Sequence, residues 1–124
     1  MIGPIIYTAL SADNAVKSYT GTRIYPVIIP QEIQGDAIAY ALINNLPDET
    51  KSGASTLDTY TFEVYCISAV YANADGMSTA VRNALENYSA NGIQSIRYQT
   101  ERDDFDQVTN RFLRIIQFKM RKTR

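Results

Sequence analysis

The chain has no histidine, no tryptophan and a single cysteine, Cys66, in 124 residues. Without histidine the commonest general base near neutral pH is missing, along with every Ser-His or Cys-His pairing, which argues against conventional hydrolase chemistry. One cysteine cannot close an intrachain disulfide, and with no imidazole the usual zinc ligand sets are gone as well, so no metal and no cofactor is expected. A dominant charge is lacking too: 12 basic residues face 13 acidic ones, for a net charge of -1. No overall field therefore draws the protein to nucleic acid or to an anionic membrane, and the expected partners are proteins. The N-terminal "MIGPIIYTALSADNAV" has no basic start, the first lysine being Lys17, and its apolar run stops well short of membrane-spanning length. This reads as cytosolic at synthesis. Repeats, low-complexity tracts and linkers are absent, and a single domain over 1–124 is expected.

What is present is a set of short periodic segments. Pro4 suits a first helical turn, and Ile2, Ile5, Ala9, Ala12 and Val16 follow the spacing of one helix face, so a short packing helix is expected, ending near "DN" or after one more turn before Gly21. "GTRIYPVIIPQ" then sets apolar residues between Pro26 and Pro30. Each proline deletes a ladder hydrogen bond, which places this strand at a sheet edge or end. "AIAYALINN" alternates with period two, "LPDETKSGAST" has no period and reads as a loop, and "LDTYTFEVYCISAVY" is the clearest strand. A second helix is expected over "ANADGMSTAVRNALENYSANG", capped by Asn73 or Asp75 and ended at Asn91-Gly92, with Gly76 lowering helical propensity locally. "IQSIRYQTE" and "TNRFLRIIQFKMRK" close the chain as a hairpin around the polar connection "RDDFDQV".

The fold class is therefore α+β in the order αβββαββ, a mostly antiparallel sheet with two helices packed on one face. In the last strand Phe112, Ile116, Phe118 and Met120 face the core, yet Leu113 and Ile115 on the other face are apolar as well. Together with Tyr65 and part of the first strand, they form apolar surface that two helices on one face do not cover. Such surface marks a subunit or partner interface.

"TRIYPVIIPQ", "AIAYALINNLPDETKSG", "TYTFEVYCISAVYANADGMSTAVRNAL" and "NRFLRIIQFKM", taken in order, resemble the tail terminator or tail completion family of long-tailed phages and prophages. The resemblance implies a noncatalytic virion protein that assembles as a homo-oligomer, commonly a hexameric ring, on the end of the tail tube. There it stops polymerisation and presents a head-joining surface, so its partners would be the tail tube protein and the head-tail connector. DNA would pass through the ring without specific binding. The implied location is the virion tail or neck, reached from the host cytoplasm during assembly.

On that reading Tyr25, Pro26, Ile28, Tyr65, Leu113 and Ile115 are the subunit-interface candidates. The prolines would keep the free subunit from uncontrolled strand addition. Asp48, Glu49 and Lys51 are either part of a plain connection or a loop that docks on the tube. Asp103, Asp104 and Asp106 either form a solvated hairpin tip or meet Lys119, Arg121 and Lys122 of the next subunit, since a closed ring uses different patches on its two sides. The acids lack the ordered oxygen ligands and turn glycine of a calcium loop. Three alternatives remain open: another neck protein of the same phage, a small monomeric binding domain, and an enzyme pairing Glu63 with Asp103 or Asp106.

Overall fold

In the computed structural model, which describes residues 2–27, 35–50, 53–90 and 92–123, the first helical stretch is broken in two at Asp13. Helix α1 (Gly3–Ala12) stops there because Asp13 takes an extended backbone, with ψ 124°, and its carboxylate accepts the Val16 amide at 3.0 Å. That bond is the cap of α2 (Asn14–Thr20), which ends at Gly21 with φ 57°. Splitting the stretch lets α1 and α2 lay separate apolar residues, Ile6, Leu10 and Val16, on the same core.

Strand β1 (Ile24–Pro26) pairs in parallel with β2 (Ala37–Thr50), and the remaining strands are antiparallel: β3 (Gly53–Ser68), β4 (Ile93–Asp106) and β5 (Arg111–Thr123). The spatial order is β1-β2-β3-β5-β4, with α3 (Tyr71–Glu86) connecting β3 to β4. The α+β class is thus observed, with three helices among the described residues where two were expected. As the prolines require, β1 is a short edge strand with Pro26 as its last residue, and Pro30 lies outside the described residues.

Two segments expected to be connections are strand instead. Pairing of β2 with β3 continues to Glu49↔Ala54 and Thr50↔Gly53, so Asp48 and Glu49 belong to a hairpin arm. Pro47 is tolerated because β1 covers only Ile38 to Tyr40, which makes β2 the sheet edge from Ala41 onward, and a register slip follows at Pro47/Glu49. Likewise "RDDFDQV" is mostly strand: β4 is paired as far as Asp106↔Arg111, and the turn is confined to 107–110. Polarity misled both readings, because an edge strand can be charged along much of its length and remain a strand.

The core lies between the helices and one sheet face. Phe62 and Phe118 stack at its centre with ring centroids 5.4 Å apart, under Met77, Val81 and Leu85 of α3. Cys66 is fully buried there, and burial pushes its thiol pKa upward, which keeps it an inert hydrophobe. Helix α3 begins at Tyr71, earlier than Asn73 or Asp75, and ends at Glu86, before Asn91-Gly92. Its start is tied down by Asp36, whose carboxylate accepts from Ser68 Oγ at 2.6 Å and Asn73 Nδ2 at 3.2 Å.

Gly76 has a packing reason. A Cβ there would lie 2.3 Å from Tyr19 Oη and 3.0 Å from its Cζ, so glycine is what lets α2 approach α3. Alanine gains about 1 kcal/mol of helix propensity but forces the phenol aside. We expect Gly76→Ala to be net destabilising in the native background and less so beside Tyr19→Phe, which removes the nearer clash. A denaturant double-mutant cycle reads this, and equal effects in both backgrounds would refute it.

Candidate functional site

The strand register gathers several of the predicted interface residues into one row. Tyr25, Ala39, Tyr65, Ile115 and Arg102 lie side by side across all five strands on the helix-free face. Tyr25 and Tyr65 are half-buried, Pro26 is exposed, and Leu113 is half-buried opposite Ile67. Ile28 lies outside the described residues. Ile115, however, is only 5% exposed in the lone chain, so it has little apolar surface left to offer. In the same region Tyr65 donates its hydroxyl to Glu63 Oε1 at 2.7 Å, and Arg102 Nη1 donates to Glu63 Oε2 at 3.1 Å. Burial, reinforced by Glu63, pushes the Tyr65 pKa up to about 12, so the phenol stays a donor.

Apart from Tyr7 on α1 and Val27 just after β1, the exposed large apolar side chains lie along the uncovered edge of β2 and around the β4–β5 hairpin end, and sequence reasoning missed these two groups. On the β2–β3 arm Leu42, Ile43 and Leu46 face solvent, beyond the reach of β1. At the opposite end Phe105 and Val108 project from the β4–β5 hairpin beside Val70 and Tyr71. The signal was present in "AIAYALINNL", where apolar residues outrun the period-two pattern, and in the lone Phe105 and Val108 within an acidic tract.

That second end is fixed by Arg114, whose side chain is 13% exposed. Its Nη1 contacts Asp75 Oδ1 at 3.1 Å and Glu101 Oε2 at 2.9 Å, its Nη2 donates to Tyr71 Oη at 2.9 Å, and its Nε donates to Asp103. Tyr71 in turn donates to Asp103 Oδ2 at 2.7 Å. The Tyr71 bond and then Arg114 hold the Asp103 carboxyl below its usual pKa. For Arg114, burial opposes the charge, but bonds to Asp103, Glu101 and Tyr71 outweigh it and push the pKa up.

Asp103 is therefore engaged within its own chain. Asp104 Oδ1 accepts the Phe105 amide at 2.7 Å, while Asp106 shapes the turn by accepting from the Val108 amide and Thr109 Oγ1, both at 3.0 Å. Lys119 is exposed, Arg121 and Lys122 are half-buried, and Lys122 Nζ donates to the Thr123 carbonyl at 2.7 Å. Lys51 lies outside the described residues. As for paired carboxylates, the sheet separates Glu63 from Asp103: the first shares the helix-free face with Arg102, the second bonds Arg114 and Tyr71 on the helix side. Asp106 lies six residues along β4 from Thr100, the strand neighbour of Gln117 in the Glu63 row, roughly 20 Å away at about 3.3 Å per residue.

The site is therefore an α+β sheet with long hairpin arms and exposed apolar side chains, in which Glu63 converges with neither Asp103 nor Asp106. The family model for "Tail completion protein gp17" matches residues 4–122, and the chain belongs to that family of phage tail proteins. Among solved structures, a chain from "Virion of native gene transfer agent (GTA) particle" shares the fold with a TM-score of 0.79 and 19% identity, over 96% of this chain and 92% of that one. No curated protein matches the sequence. The protein is thus a phage tail assembly component.

Proposed function

We propose that the chain is a noncatalytic subunit of a ring, with six as the expected number, that caps the tail tube, ends its polymerisation and offers the head connector a landing surface. The observation carrying this reading is the pair of exposed apolar ends, Leu42, Ile43 and Leu46 on one hairpin and Phe105 and Val108 on the other, at opposite ends of one sheet. Different patches at opposite ends fit a heterologous contact, which repeats around a ring, better than a two-fold dimer. Half-buried Tyr25, Tyr65 and Leu113 and exposed Pro26 add surface beside the subunit boundary, and the arm bearing Asp48 and Glu49 is the element assigned to the tube. Assembly then takes place in the host cytoplasm and the product resides in the virion, with DNA crossing the lumen unread.

A second reading makes it another neck protein at the head-tail junction. Tails assembled without the protein separate the two. Overlong tails are expected for a terminator, whereas tails of normal length that fail to join heads would support the neck reading. Light scattering over a concentration series tests the ring itself, with a closed species near six subunits expected.

A further inference from the structure

On the helix-free face, at the end away from the acidic hairpin, lies a cavity of about 540 Å³ lined by Arg97, Lys119 and Arg121 together with Thr59, Ser95 and Gln99. The register explains it. One row runs Leu46, Thr59, Arg121, Ser95 and the next Asn44, Thr61, Lys119, Arg97, so cations collect on two outer strands while threonines form a low floor. Among the described residues neither Arg97 nor Lys119 has a carboxylate within ion-pair distance. The exposed Leu46 borders the same row.

Resting on the ring reading, we propose that this groove receives the β4–β5 hairpin end of a second copy, with Asp104 facing Arg97 and Lys119 and with Phe105 and Val108 against the Leu46 margin. Asp104 is seven residues from Arg97 along β4, roughly 23 Å at about 3.3 Å per residue, so the two cannot meet within one chain. Charge complementarity selects the occupant: Asp104 has no cation within ion-pair distance among the described residues and stands beside the apolar tip, with Arg111 opposite Asp106, while the groove is basic with an apolar rim. A projection at one end and its receptor at the other make a head-to-tail contact, which closes as a ring or runs on as a filament.

The test uses the full chain in two charge-reversed forms. The groove form carries Arg97→Glu and Lys119→Glu; the tip form carries Asp104→Lys and Val108→Lys, leaving Asp106 to hold the turn. Light scattering at low salt should show each form alone associating roughly tenfold or more weakly than wild type. Mixed in equal amounts they should regain oligomers of wild-type size in which the two forms alternate, because the reversed tip fits the reversed groove and the native tip of the groove form fits the native groove of the tip form. Oligomers unchanged by either reversal would overturn the groove contact and leave the ring reading standing. A wild type that stays monomeric at every concentration, with no oligomer on mixing, would overturn both. Should the tip form lose its native circular dichroism, Phe105→Ser with Val108→Ser replaces it, and an oligomer as tight as wild type then counts against the contact.

Discussion

Phe118→Ala should lower the free energy of unfolding by about 3–5 kcal/mol, the largest loss expected for any single side chain here. Phe118 is fully buried, stacks on Phe62 at 5.4 Å with an interplanar angle of 18°, and meets Tyr98 edge-on at 6.2 Å. The row Leu42, Phe62, Phe118, Tyr98 spans four strands, so the ring joins the β2–β3 hairpin to the β4–β5 hairpin beneath α3. Truncation leaves a cavity bounded by paired strands that cannot collapse into it, which places the cost toward the upper end of the range. Against a total of about 5–15 kcal/mol for a typical domain, little margin would remain. Urea unfolding should show a much lower midpoint at an unchanged slope. A loss below about 1 kcal/mol would mean that the two hairpins do not depend on this contact.

Much of that core was legible in the sequence. The alternation of Tyr60, Phe62, Val64 and Cys66, and of Ile116, Phe118 and Met120, has period two and all seven are buried, while Phe112 on the same face is half-buried and Thr61, Glu63 and Ile115 on the other face are buried too. The edge position of β1 followed from the two prolines, Pro26 and Pro30, that bracket its apolar run. Element ends were harder to read, because a polar residue ends a strand only where the neighbouring strand also ends. Asp48, Glu49 and the acidic run before Asp106 stay in strands since β3 and β5 continue beside them, and no single-sequence pattern carries that pairing. The helix end at Asp13-Asn14 was legible, whereas the restart as α2 was not, because one side chain both ends the first helix and caps the second.

The candidate site was less legible. Apolar residues on the helix-free face were expected to be uncovered, yet Ile115 is buried; Val27 after β1 is exposed, and most other exposed apolar side chains lie along the β2 edge and at the β4–β5 hairpin end. Which residues lie beyond the neighbouring strand depends on strand lengths, and those had been read too short. The acids were treated as one cluster. In the fold Asp103 turns toward Arg114 on the helix side, while its neighbour Asp104 lies on the other face beside Leu113, as strand alternation demands once β4 is recognised as a strand.

Arg114→Met should cost about 2 kcal/mol of stability and loosen the hairpin end that carries Phe105 and Val108. The guanidinium is the common donor for Asp75, Glu101, Asp103 and Tyr71, and hydrogen bonds to charged groups contribute about 1.5–3 kcal/mol each before their loss is offset. The offset is substantial here because all three carboxylates are partly open to solvent and can be rehydrated, which keeps the effect below that of breaking a fully buried pair. Lysine at this position restores the charge but not the fork of donors, so Arg114→Lys should fall between the variant and wild type. The pH dependence gives an independent sign. Asp103 has a folded pKa held below 3.8, first by Tyr71 and then by Arg114, so its contribution is present above that value and is lost as pH falls through the lowered one. Wild-type stability should therefore fall on acidification below about pH 4, and Arg114→Met, which removes the second of the two bonds lowering the Asp103 pKa and leaves that of Tyr71, should fall somewhat less steeply. The gap between the two proteins then narrows in acid and is widest at neutral pH. A gap constant with pH would show that Arg114 acts through packing of its side chain on Tyr71 and Ser78, with no charge linkage to Asp103. In the assembly the same substitution should weaken self-association more than its stability loss explains, because it leaves the hairpin end tied to α3 only through Tyr71.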